Sequence, residues 1–406
     1  MKKSFLAVCS AALLLTACST SGTNCPAKAD SCTKVKVLPA QHRMNIPPVI
    51  YAVPGVESNI YFSNIFLCIN SANYAFDVEC TKGRNDTKRW RFMPTAKDVG
   101  EYPLTVTVMD ENGVVAVGKT VVKVAPQNAG KGEKVSVILI GDSLTNASIY
   151  PQRLYDLMKK PGNPELTMIG SHAGSARKPL PGGMAHEGFS GWAWSTFLSR
   201  YKDEAEFKTP RQKFEAKSKF LTKKDGKVVP DIKLYLDKYA NGKKPDYITI
   251  QLGVNDIFFA KDDTLPQFIA KIESNMVRMV NLFREALPDT VIGIGLVTPG
   301  AWQDGFGHSY ANGQTAWQYR KNHFALNKRM MEKIAAWNDP KIIMIPTNVN
   351  LDTENNFPQK KEPVNNGNNS RIARQNNGVH PSPAGYKQIG DTFYAWLKYQ
   401  LSLRKK

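Results

Sequence analysis

The chain has 406 residues, 42% hydrophobic and 10% aromatic. That length suits two domains or one large domain with an appendage, and the composition excludes a disordered chain. Its formal charge of +19, from 54 Lys and Arg against 35 Asp and Glu, would direct a cytosolic protein to nucleic acid. The features of export described next argue against that partner. They leave acidic glycans, an anionic membrane surface or a merely solvated Lys-rich exterior.

Lys2 and Lys3 precede an apolar run from Phe5 to Leu15, too short to cross a bilayer as a mature helix. It ends in Leu15-Thr16-Ala17-Cys18, which resembles the bacterial lipobox. The resemblance marks residues 1–18 as a lipoprotein signal peptide and lipobox, and implies cleavage before Cys18 and lipidation of that cysteine; the alternative is ordinary secretory cleavage near Ala17. Either route exports the protein. Ser19 after the cysteine suggests outer-membrane sorting in a Gram-negative host, on the periplasmic or surface face. No later segment is apolar enough to span, so the lipid is the expected membrane attachment. Cys25, Cys32, Cys68 and Cys80 remain, and the local pairings 25–32 and 68–80 are expected in an oxidising compartment.

Residues 19–33, rich in Ser, Thr, Gly and Ala, read as a tether. From 34 to 125 short alternating strands recur, among them Val49–Val53, Asn59–Phe62, Phe76–Glu79 and Lys88–Phe92. Leu104–Val108 turns at Asp110-Glu111-Asn112-Gly113 and returns as Val114–Val124, a hairpin. These strands predict a small all-β sandwich. The stretch Asp98-Val99-Gly100-Glu101-Tyr102 resembles the tyrosine corner of immunoglobulin-like domains. Spacer, packing partner and glycan binder are the roles open to such a module. Ala125–Gly132 reads as a linker.

Beyond it the rhythm becomes strand and helix. Apolar strands recur at Val135–Ile140, Leu166–Ile169, Tyr247–Leu252, Val291–Val297 and Ile342–Ile345. Between 264 and 287, Phe268, Ile272, Met276, Met279, Val280, Phe283 and Leu287 recur at helical steps. A last helix after Ser382 carries Tyr386, Ile389, Phe393, Trp396 and Leu397. The expectation is an α/β fold, a three-layer α/β/α sandwich on a five-stranded parallel sheet over residues 133–403. Any site would lie at the carboxyl ends of the strands.

Four motifs fall at those ends. Gly141-Asp142-Ser143-Leu144 closes the first strand and opens a helix, where free N–H groups favour a developing anion. His186-Glu187-Gly188-Phe189-Ser190-Gly191-Trp192 lies in the loop after the second strand. Gly253-Val254-Asn255-Asp256 follows the third, and Asn377-Gly378-Val379-His380-Pro381 precedes the last helix. Together these blocks resemble the SGNH, or GDSL-type, serine hydrolase superfamily, and the second block resembles that of carbohydrate acetylesterases. The resemblance implies Ser143 as nucleophile and His380 as general base. It implies an oxyanion hole from the N–H groups of Ser143 and Gly191 and the side-chain amide of Asn255, with Gly188 as the alternative to Gly191. Losing one such donor typically costs about 3–4 kcal/mol of transition-state stabilisation. Asp142 would tie down the nucleophile turn, and the plain alternative for His186 and His308 is that they are surface histidines.

One position departs from the family. Its last block usually reads Asp-x-x-His, and here Asn377 stands three residues before His380. Losing that carboxylate in a serine-protease triad costs about 10⁴ in turnover. Three explanations compete: a Ser–His dyad whose imidazole is held by Asn377 or a backbone carbonyl, another carboxylate (Asp352, Glu354 or Glu362), or a non-catalytic glycan binder. The first is preferred, since ester hydrolysis is less demanding than amide hydrolysis. Aromatic residues between Trp302 and Trp317 are candidates for sugar stacking or for capping the core. The Lys-rich segment 202–244 is a candidate contact for an acidic polymer, and the Asn-rich stretch 355–369 reads as a long mobile lid. No His/Asp/Glu cluster has metal-ligand spacing, and no cofactor is expected. The reading is an exported, lipid-anchored serine esterase removing O-acetyl groups from a carbohydrate, with acidic glycans among the candidates. The alternatives are a lysophospholipase or thioesterase on the same scaffold, or a glycan-binding lipoprotein with a vestigial hydrolase domain.

Overall fold

The computed structural model describes residues 43–173, 183–310 and 313–404. The signal segment, Cys18, the tether, Cys25 and Cys32 lie outside the described residues. Residues Pro39–Lys406 form one compact unit.

The chain first builds two small sheets. Strands β1 (Val49–Ala52), β2 (Ser58–Tyr61), β3 (Ala75–Glu79), β4 (Arg84–Asp86), β5 (Arg89–Phe92), β6 (Gly100–Asp110) and β7 (Gly113–Val124) pair as β1-β7-β6-β3 and β2-β5-β4. A one-turn helix, α1 (Phe62–Ile65), follows β2. Alternation sends Leu104, Val106 and Val108 of β6 inward to meet Ile60 of β2 and Trp90 and Phe92 of β5 in one core. Burial of such side chains from both sheets is what holds a sandwich together. Cys68 and Cys80 correct the expected pairing. Both are free thiols packed on this core, Cys68 buried within it and Cys80 partly covered beside it. Burial pushes both thiols above their ordinary pKa.

The α/β unit follows. It comprises β8 (Lys134–Gly141), α2 (Ser143–Asn146), α3 (Ile149–Met158), β9 (Glu165–Ile169), β10 (Glu187–Gly188), α4 (Trp194–Ser199), α5 (Pro210–Phe214), a hairpin β11 (Leu221–Lys224) and β12 (Lys227–Pro230), and α6 (Ile232–Ala240). Then come β13 (Tyr247–Gln251), α7 (Val254–Ile257), α8 (Leu265–Ala286), β14 (Val291–Gly295), α9 (Gln303–Tyr310), α10 (Ala316–Trp337) and β15 (Ile342–Ile345). A second hairpin, β16 (Gln359–Asn365) and β17 (Asn368–Gln375), precedes α11 (Pro383–Ser402). The five expected strands are all parallel, in the order β9-β8-β13-β14-β15. The two-residue β10 adds a sixth, pairing Glu187–Gly188 with Ile140–Gly141 of β8, past the stretch of β8 that β9 pairs. Helices α3 and α11 pack together, while α8 packs against α4, α6 and α10, giving two helical layers. In this doubly wound order the chain reverses direction across the sheet at β8, and the crevice opens beyond its carboxyl end.

The presumed linker is not free chain. Ala125 donates its N–H to Ala52, and the buried Lys398 ammonium of α11 donates to the carbonyl of Ala129. The β module is stitched to the α/β unit by Asn59 on Asn350 and Asn64 on the carbonyl of Leu351, while Tyr51, Val53 and Val56 join the α/β core. The stretch expected as a long lid is ordered as the hairpin β16–β17. Among the described residues no helix is long and apolar enough to cross a membrane.

Candidate active site

Strand β8 ends at Gly141, where a Cβ would overlap Thr145 Oγ1 and lie 2.9 Å from the carbonyl of Gln251. The glycine serves close packing between β8, α2 and β13. Asp142 then caps α2, its Oδ1 accepting the Leu144 N–H at 2.9 Å. This aims Ser143 out of the turn at the first position of α2. The last block brings His380 to it: His380 Nε2 lies 2.8 Å from Ser143 Oγ. Both side chains are only partly buried, so a substrate can reach them. Burial holds the imidazole below its ordinary pKa of 6.5, so it is neutral at pH 7 and competent to accept a proton.

Gly191 adopts φ of +77° with open space at its Cβ, a left-handed turn suited to glycine. Two side chains fix this loop against the other blocks. Asn146 of α2 donates to Ser190 Oγ at 2.7 Å, and Asn255 Nδ2 of α7 donates to the carbonyl of Trp192 at 2.9 Å. The second hydrogen of the Asn255 amide remains for another acceptor. Gly188, the alternative oxyanion donor, spends its N–H on His186 Nδ1 at 3.1 Å and touches α2 too closely for a Cβ. Gly191 is therefore the glycine of this block whose N–H faces no such claim among the described residues.

His186 is fully buried rather than a surface histidine, because β10 draws it under the loop; His308 is exposed on α9. With Nδ1 accepting from Gly188, its Nε2 carries the proton toward Ser148 Oγ, 2.8 Å away. His172 Nε2 donates to the carbonyl of Gly188 at 2.9 Å. Glu187 accepts from Ser171 Oγ and from Tyr235 Oη, and burial raises its carboxyl to about 7. Asp256 accepts the Trp194 N–H at 3.1 Å, and burial lifts it likewise to about 7. Asp142 is also raised to about 7, by burial and then by the nearby charge of Asp256.

Asn377 corrects one expectation. Its Oδ1 accepts the N–H groups of Val379 at 3.0 Å and His380 at 2.8 Å, so it shapes the turn and does not hold the imidazole. The competing carboxylates are committed elsewhere. Asp352 accepts from Asn355 and Glu354, Glu354 pairs with Lys88, and Glu362 pairs with Arg374. Among the described residues no carboxylate hydrogen-bonds His380. The loop is held instead by packing. Gly378 presses on the ring of Phe306 in α9, its carbonyl accepts the Ala301 N–H at 2.9 Å, and Ser309 Oγ donates to the carbonyl of Asn376. Phe306 is fully buried among Phe258, Tyr310 and Tyr319, so this aromatic of the 302–317 segment caps the core. The buttress was not foreseen, although Phe306 lay in a segment marked by its aromatics.

The fold is of the SGNH-like α/β type, and the family match supports an ester-bond hydrolase. Residues 223–388 match the GDSL-like Lipase/Acylhydrolase family, a span that includes Asn255, Asn377 and His380 and begins after Ser143. No curated protein matches the chain. Among solved structures, a family 3 carbohydrate esterase of Clostridium thermocellum is similar at 16% identity, covering 66% of this chain and 98% of its own, with a TM-score of 0.39. One of Talaromyces cellulolyticus stands at 15% identity, 67% and 100% coverage and 0.39. A carbohydrate acetylesterase family member from Sinorhizobium meliloti stands at 15%, 66% and 100%, and 0.36. Among the described residues no group of three or more His, Cys, Asp or Glu could hold a metal ion.

Proposed function

We propose that the protein is an exported, lipid-anchored serine esterase that removes O-acetyl groups from a carbohydrate. The observation that carries the chemistry is the 2.8 Å contact between Ser143 Oγ and a neutral, partly buried His380 Nε2. His380 takes the Ser143 proton as Oγ bonds to the acetyl carbonyl carbon. The N–H groups of Ser143 and Gly191 and the free Asn255 amide hydrogen receive the oxyanion. The tetrahedral adduct collapses to an acyl-serine, and His380 gives its proton to the departing sugar oxygen. Water, deprotonated by His380, then releases acetate and restores Ser143. The base works as one half of a dyad, its orientation set by the Asn377 turn and the Phe306 buttress. The acetyl and sugar specificity rests on the resemblance of the His186–Trp192 block to carbohydrate acetylesterases, and the anchor on Leu15–Cys18.

The test is acetate release from a panel of acetylated glycans by the wild type and by Ser143→Ala. Release by the wild type alone supports the reading. Preference for long acyl chains would replace it with a lysophospholipase or thioesterase, since a deacetylase should fade beyond about two or three carbons. No release from any ester by folded wild type would leave a glycan-binding protein.

A further inference from the structure

The hairpin β16–β17 belongs to neither main sheet, and its two strands pair only with each other. From Gln359 to Arg374 its residues are exposed or half-exposed. Its root is fixed to the base loop. Asn376 donates its N–H to Pro358 at 2.9 Å, and the Gln375 side chain bonds Trp302 N and the carbonyls of Thr353 and Glu354. The strand ends five residues before His380, so the arm starts at the rim of the site.

Its chemistry is one-sided. The arm carries Lys360, Lys361, Arg371 and Arg374 against a single carboxylate, Glu362. Arg374 answers that carboxylate at 3.1 Å and faces Asp304 of α9 at 3.9 Å. Lys360, Lys361 and Arg371 have no carboxylate partner among the described residues, and Arg371 only touches the carbonyl of Lys361. The tip is Asn365, Asn366, Asn368, Asn369 and Ser370 around Gly367, a set of amides and a hydroxyl suited to hydroxyl-rich ligands. Ile372 is the one large apolar side chain exposed on the arm, which gives no apolar face to insert into lipid. Cations and amides on a polar arm beside an esterase site fit an anionic polyhydroxylated polymer.

We infer that β16–β17 is a substrate-gripping arm that binds an anionic polysaccharide, the carboxylates of a uronic-acid chain lying on Lys361 and Arg371, which share one face of the hairpin, while Lys360 adds charge from the other face, beside the esterified sugar at Ser143. This rests on the esterase reading and names the substrate class. The test is affinity electrophoresis of the whole protein in gels holding polygalacturonate or neutral arabinoxylan, beside p-nitrophenyl acetate kinetics. Wild type should be retarded by polygalacturonate alone. The variant Lys360→Glu/Lys361→Glu/Arg371→Glu should bind it at least tenfold more weakly at low salt, with the difference lost near 0.5 M, where screening is strong. The three Gln substitutions should give an intermediate loss. Lys97→Glu/Lys119→Glu/Lys328→Glu, exposed lysines away from the arm and with the same net charge as the first variant, should be retarded like wild type. Hydrolysis of p-nitrophenyl acetate should be unchanged throughout. Wild-type mobility unaffected by polygalacturonate, equal loss in both charge variants, or retention only by anionic phosphatidylglycerol vesicles would overturn the inference. Failure of the esterase reading would show separately, as absent p-nitrophenyl acetate hydrolysis with retardation intact.

Discussion

Replacing Gly378 by alanine isolates the buttress that stands where a carboxylate usually orients the base. A Cβ there would lie 2.9 Å from Cδ2 and 3.0 Å from Cγ of Phe306, against about 3.5–4.0 Å for relaxed carbon contact. The ring is wedged among Phe258, Tyr310 and Tyr319, so the loop must yield by about 0.7 Å and carry His380 with it. That stretches the 2.8 Å contact with Ser143 to roughly the 3.5 Å limit of a hydrogen bond. A misplacement near 1 Å can cost about 10² in rate. Steady-state hydrolysis of p-nitrophenyl acetate should therefore show kcat down about 10- to 100-fold with KM within about twofold. Thermal melts should show about 1–3 kcal/mol of destabilisation from overpacking. Shortening the ring with Phe306→Leu in the same chain should return most of the lost kcat. A folded Gly378→Ala enzyme with wild-type kcat would refute the argument that packing at this glycine sets the base.

Other consequences follow from the same geometry. Burial lowers the His380 pKa below 6.5 and the proposed mechanism uses the neutral imidazole, so kcat/KM should climb through an acid limb below pH 6.5 and then plateau. A limb above 6.5 would mean that a carboxylate faces the ring. Asn377→Ala removes the acceptor of two N–H groups and should cost about 1–3 kcal/mol of stability with a clear fall in kcat. Asn377→Asp keeps both acceptors and sets a charge near the ring, so it should keep kcat and move the acid limb upward; equal losses in both variants would contradict this. Glu187 has its carboxyl raised from 4.5 to about 7 by burial. Its contribution to stability is thus full below pH 4.5 and is lost as pH rises to about 7, by up to about 3 kcal/mol. Glu187→Gln should flatten the fall in unfolding free energy between pH 5 and 8 in urea titrations, leaving a residual slope from Asp142 and Asp256; an unchanged slope would exclude this assignment.

Local patterns were legible where a residue's neighbours in sequence decide its fate. Alternation marked β6 and β7, and the three- and four-residue apolar steps marked α8, within a residue or two of Leu265–Ala286. Ser143, Asn255 and His380 stood out because each follows or approaches a strand end, which a parallel sheet gathers at one edge. Contacts between distant segments were not legible. Asn59 meets Asn350, and the Gly378 loop leans on Phe306; neither pairing leaves a local period. His186 looked like a surface residue because its burial depends on β10 joining the edge of β8. Asn377 was read by analogy with a carboxylate, whereas its oxygen satisfies two backbone donors that the sequence does not display. The Asn-rich segment looked unstructured because its strands are polar on both faces, and only their mutual pairing makes them a hairpin.

The central claim is that Ser143 is a nucleophile activated by His380 without a carboxylate partner. Fluorophosphonate labelling followed by peptide mass spectrometry addresses it most directly, because the reagent bonds only to an activated serine. The account predicts one label per chain, on the peptide containing Ser143, absent in Ser143→Ala, strongly slowed in His380→Ala and retained in Asn377→Asp. A folded wild type that takes up no label, or labels equally fast without His380, would contradict it.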